Sequence, residues 1–148
     1  MENTVDNPQA EYTFPILRSF VAVVGGYLVA FMLVAFTFNA LAALTPEVFG
    51  MKAPANPPLG WFILTYVLSF LYAAIAGYVT ATIARRNEMM HAAALAIFML
   101  ILGIAASVSM AAPERILQEL MFSVVGMAGV LFGAKIRARA VISRGRES

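Results

Sequence analysis

Apolar residues fall in long unbroken blocks rather than alternating with polar ones. No charged residue occurs from Ser19 to Pro46. Roughly 20 apolar residues suffice to cross a hydrocarbon core of about 30 Å. This first run is longer, so it must tilt or project beyond the bilayer. Pro46 is its stop signal. Pro46, Gly50, Pro54, Pro57, Pro58 and Gly60 follow closely and break any regular element over 46–60. Trp61 and Phe62 come next, as an aromatic belt at a membrane interface requires. A second apolar run ends at Ala84, and Arg85, Arg86, Asn87 and Glu88 form a tight turn. A third run opens at Met89 and ends near Met110. Pro113 suits the first turn of a fourth, and Glu114 suits the positive end of its dipole.

The expected fold is all-α, a four-helix transmembrane bundle. Its helices are expected at about 17–45, 61–84, 89–111 and 114–135 within a membrane domain over 15–135. A polar tail over 1–14 precedes the domain and a basic tail over 136–148 follows it. Strands of an outer-membrane barrel would alternate polar and apolar positions over about ten residues. The continuous runs argue against that.

Composition agrees with the pattern. Hydrophobic residues make up 61% and charged residues 12%, with mean hydropathy +0.83. A soluble domain is about 45–50% apolar and about 25% charged. This balance excludes a soluble enzyme domain, a disordered chain and a fibrous protein. There are no cysteines, which removes disulfides, thiolate metal sites and cysteine nucleophiles.

The few charges fix an expected topology. Arg18, Arg85, Arg86, Lys135, Arg137, Arg139, Arg144 and Arg146 fall on one side of a four-span arrangement, and Lys52 and Arg115 on the other. Basic residues favour the cytoplasmic side, so both termini are expected inside and the 46–60 loop outside. The first residues carry Glu2, Asp6 and Glu11 without a basic residue. They lack the positive start of a signal peptide and read as a mobile tail.

Small residues recur at helical spacing. Ser69, Ala73, Gly77 and Ala81 form a ridge on the second span, and Ala22, Gly26 and Ala30 one on the first. Gly103 and Ser107 do so on the third, and Gly129 and Gly133 on the fourth. Such ridges let helix backbones approach closely. They serve packing within the bundle, or one of them, on the second or fourth span, serves as an oligomer interface. Ala76-Gly77 and Ala128-Gly129 each precede a basic cluster by about two turns, an echo that chance and a shared basic end explain well.

Few residues could carry chemistry. Glu119 is the one acid expected within a span, and an intramembrane charge is a functional candidate. Arg115 lies four residues earlier and can pair with it, with Gln118 extending the polar patch. Asn39 needs partners in lipid. An interhelical hydrogen bond to Ser107 or Ser109 is expected. His91 follows Met89 and Met90, but successive side chains on a helix rotate by about 100° and cannot all face one ion. It reads as a histidine near the headgroups. Tyr66, Tyr72 and Tyr78 should bond neighbouring helices or headgroups. No catalytic residue, metal site or cofactor is expected. Nucleic-acid binding lacks the aromatic groups or fold it needs.

The stretch Ala76-Gly77-Tyr78-Val79-Thr80-Ala81-Thr82-Ile83-Ala84-Arg85-Arg86, followed by His91-Ala92, resembles small uncharacterised four-helix proteins of bacterial inner membranes. Those carry a G-Y-x-x-A-x-I-A-R-R stretch, a short turn and a histidine opening the next helix. The resemblance implies the same fold and location and carries over no catalytic residues. The expected function is a non-enzymatic accessory, assembly or stabilising subunit. Its partners are the lipid bilayer and other membrane helices, from different chains or a second copy. The alternative is a small oligomeric channel or transporter with Glu119, Gln118 and Asn39 lining an outer vestibule.

Overall fold

The computed structural model describes residues 8–49, 58–85, 87–109 and 116–144. Five helices follow in order: α1 (Pro8–Leu44), α2 (Pro46–Phe49), α3 (Leu59–Ala84), α4 (Glu88–Ser109) and α5 (Ile116–Arg144). Four stretches are long and apolar enough to cross a membrane: Ile16–Leu44, Leu59–Ala84, Glu88–Ala106 and Leu120–Val141.

Three boundaries differ from those expected. Helix α1 starts at Pro8, within the segment read as a tail. Polar residues do not oppose helix, and proline at a first helical position has its φ already set. Helix α5 likewise continues through the basic tail to Arg144. Lys135, Arg137 and Arg139 are good helix formers, so their charge does not end the helix. The 29 residues of α5 span about 43 Å at 1.5 Å per residue, beyond a bilayer core. The third difference lies in the proline-rich loop, which opens with the single turn α2. Thr45 carries the chain across this corner: its N–H and its hydroxyl both donate to the Leu41 carbonyl, at 2.8 and 2.7 Å. The expected helix start at Pro113 lies outside the described residues.

The α3–α4 turn is built on left-handed backbone. Arg85 has φ 56° and donates its N–H to the Ala81 carbonyl at 3.2 Å, closing α3. Asn87 has φ 50°, a conformation that asparagine tolerates better than most residues. Its carbonyl then accepts from Met90 and His91 N–H at 2.9 and 3.2 Å, starting α4.

Helix α1 runs antiparallel to α3 and parallel to α4, and α5 runs parallel to α3 and antiparallel to α4 (Arg18 meets Ile83, Ser19 meets His91, Gly77 meets Val130 and Gly103 meets Ser123). Around the bundle the order is α1, α3, α5, α4, with α3 also touching α4 across the middle. Among the described residues α1 and α5 make no contact.

Packing is uneven along the axis. The buried residues lie at Ala22–Ala30 of α1, Ala73–Ala84 of α3, Ala92–Ala96 of α4 and 129–134 of α5. These segments converge on the half of the bundle that carries the α3–α4 turn. Among the described residues of 31–44, 59–72, 97–109 and 116–128, none is buried. The bundle is closed in its basic half and opens toward the other.

Glycine sets the closure. A Cβ at Gly77 would overlap the Val130 carbonyl, and one at Gly133 the Ala74 carbonyl. One at Gly129 would lie 2.6 Å from the Phe70 carbonyl oxygen and 2.9 Å from the Ala73 Cβ. Each glycine thus turns a Cα hydrogen toward a carbonyl on the other helix, a weak hydrogen bond that recurs where helices touch closely. On the α1 side, a Cβ at Gly26 would overlap the Thr80 hydroxyl. Outside this core the surface is apolar: Phe36 is 79% exposed, Ile16 71% and Phe20 65%. Large side chains this exposed call for lipid or protein around them.

Candidate functional site

Two polar regions stand out, one at the basic end and one near the middle of the bundle.

At the basic end, side chains tie helix ends together. Arg18 Nε donates to the Ile83 carbonyl at 2.8 Å, satisfying an acceptor that the last turn of α3 leaves open. A cation there also suits the negative end of the helix dipole. His91 bridges α4 to α1: Nδ1 lies 3.0 Å from the Asn87 carbonyl and Nε2 2.9 Å from Ser19 Oγ. A carbonyl only accepts, so Nδ1 carries a proton, and in the neutral ring Nε2 accepts from Ser19. Arg137 Nε donates to Thr82 Oγ1 at 3.2 Å, joining α5 to α3. His91 therefore bridges α4 to α1. Glu88 opens α4 with one carboxylate oxygen buried and without a hydrogen-bond partner. The positive end of the α4 dipole favours that charge.

Near the middle, where the closed half gives way to the open half, lies a cavity of about 160 Å³. All four long helices contribute walls: Ala30 and Val34, Ser69, Tyr72 and Ala73, Met99 and Leu100, and Phe122, Ser123, Gly126 and Met127. The Tyr72 hydroxyl is 2.7 Å from Thr37 Oγ1, linking α3 to α1 beside it. Tyr66 stacks on Phe122 with ring centres 4.1 Å apart and planes at 16°. Ser69 and Ser123 make no side-chain hydrogen bond among the described residues.

The residues singled out by spacing divide among several places. Ala73, Gly77 and Ala81 lie buried on α3. Gly77, Gly129 and Gly133 form the α3–α5 seam, and Gly26 packs on Thr80. Ser69 and Ala73, neighbours on one ridge, both line the cavity. Asn39 is exposed, and its Nδ2 donates to the Ala35 carbonyl at 2.7 Å, one turn back in its own helix. The expected bond to Ser109 is not made, since Ser109 donates to Ala105 at 2.7 Å. An amide side chain reaches a carbonyl of the preceding turn more readily than a neighbouring helix. Asn39 also does not line the cavity. The side chains of Ser107, Gln118 and Glu119, and residue Arg115 as a whole, lie outside the described residues.

Three features were not anticipated: the Arg18 bond at the end of α3, the burial of Thr80 against Gly26, and the part of Ser123 in the cavity wall. A sequence signal existed for the last alone. Ser123 is a polar residue in an apolar run, one turn after Glu119.

Among the described residues no group of three His, Asp or Glu side chains could hold a metal ion. Comparison with protein-family models, curated proteins and solved structures finds no match to this chain.

Proposed function

We propose that the chain is a non-enzymatic multi-pass protein of a bacterial inner membrane. It acts as an accessory, assembly or stabilising subunit, packing against helices of other chains or of a second copy. The basic end, with Arg18, Arg85 and Arg137, then lies in the cytoplasm with both termini, as basic residues favour that side. The observation that carries this reading is the half-closed bundle. Its glycine seams and polar bridges close one half, while among the described residues of the other half no side chain is buried. A partner helix seated on the open half completes the packing that the chain leaves undone. Extraction in mild detergent followed by size analysis tests this. A larger assembly containing other chains or further copies supports the reading, and a lone monomer contradicts it.

A small oligomeric channel or transporter is the second reading, favoured by the cavity at the meeting of the spans. Within one chain, Thr80, Leu95 and Val130 are fully buried across the basic half, so a path would have to run between copies. Glu119→Gln should then change solute or ion flux in proteoliposomes. Absence of flux with both proteins rejects this alternative.

A further inference from the structure

We infer that the cavity lined by Ser69 and Ser123 binds a small uncharged amphiphile, a ring-sized apolar body bearing one hydroxyl or carbonyl group. Its volume, about 160 Å³, is of the size that accepts a six-membered ring, about 150 Å³. Val34, Met99, Phe122 and Met127 supply apolar walls, and methionine adapts its shape to an irregular guest. The cavity lining contains no aspartate, glutamate, lysine, arginine or histidine, so an ionic guest would find no counter-charge in a low-dielectric setting. A wholly apolar guest would leave the Ser69 and Ser123 hydroxyls unsatisfied, which is costly away from water. Both hydroxyls are free to bond, because neither has a partner among the described residues. Tyr72, already bonded to Thr37, completes the wall without competing. The space exists partly because position 126 is glycine: a Cβ there would meet nothing within 4 Å. This inference concerns the inside of the bundle and stands apart from what packs on its outside.

The test uses the full chain in phosphatidylcholine nanodiscs, with phenol as the probe and methyl-labelled methionine observed by NMR. Phenol should shift the Met99 and Met127 methyl signals saturably. Gly126→Leu should fill the space and abolish saturation while leaving helix content intact. The double variant Ser69→Ala, Ser123→Ala should weaken phenol binding about ten-fold, as the loss of two neutral hydrogen bonds implies. It should strengthen binding of toluene, which has no polar group and leaves both hydroxyls unsatisfied in the natural protein. Absence of saturable shifts in the natural protein overturns the inference, as does equal phenol binding by Gly126→Leu. Equal phenol affinity in the double-serine variant overturns the role given to the hydroxyls.

Discussion

Gly77 of α3 lies against the carbonyl of Val130 on α5, so closely that a Cβ at position 77 would overlap it. Gly133 meets the Ala74 carbonyl in the same way. The two parallel helices are thus in backbone contact at two levels. Gly77→Ala and Gly133→Ala should each lower stability by about 1–3 kcal/mol, the usual cost of overpacking a tight core. Unfolding in bicelles measures this, with Gly60→Ala as control because a Cβ there meets nothing within 4 Å. Equal loss at Gly60 would contradict the seam.

Gly26 and Thr80 should behave as a coupled pair. A Cβ at Gly26 overlaps the buried Thr80 hydroxyl, so Gly26→Ala should destabilise. Thr80→Ala removes that atom and should recover part of the loss. Leu95 and the Ala76 carbonyl, at 3.0 and 3.1 Å from the same point, keep the recovery incomplete. Additive effects in the double variant would show that the two positions do not touch.

His91 and Ser19 should couple α4 to α1 by about 0.5–1.5 kcal/mol, the net worth of one hydrogen bond. A double-mutant cycle with His91→Ala and Ser19→Ala measures the coupling directly. A value near zero would remove the bridge from the basic end.

The Tyr72–Thr37 bond lies beside the cavity, and interhelical hydrogen bonds within membranes average about 0.6 kcal/mol. Tyr72→Phe should cost about that amount. In a Thr37→Val background the same substitution should cost almost nothing more. A full additional loss would indicate that the tyrosine hydroxyl has another partner.

Much of the fold can be read from the sequence because long continuous apolar runs follow a simple pattern. Continuous apolar runs give the four spans, and Arg85 to Glu88 give the tight turn. Charge and hydropathy report where the bilayer ends, not where the helix ends, so Pro8 and Arg144 could not be read as boundaries. Small-residue spacing marks Gly77, Gly129 and Gly133 as close-contact positions. It does not say that α3 pairs in parallel with α5, because any helix accepts a smooth ridge. Asn39 was misleading for a local reason: its amide bonds to Ala35 in its own helix. The cavity was invisible because its walls come from four separate segments. Nothing local distinguishes Ser123, which faces open space, from a serine packed against a neighbour.

The most direct test of a bundle closed in one half and open in the other compares two glycines three residues apart on α5. A Cβ at Gly126 meets nothing within 4 Å, whereas one at Gly129 lies 2.6 Å from the Phe70 carbonyl oxygen. Unfolding of Gly126→Leu and Gly129→Leu should be measured side by side in the same bicelles. The boundary between the halves passes between them. Gly126→Leu should therefore be as stable as the natural protein, or more so by up to about 1 kcal/mol from helix propensity. Gly129→Leu should lose about 1–3 kcal/mol or more. Equal losses at both positions, or a larger loss at Gly126, would contradict the half-open bundle.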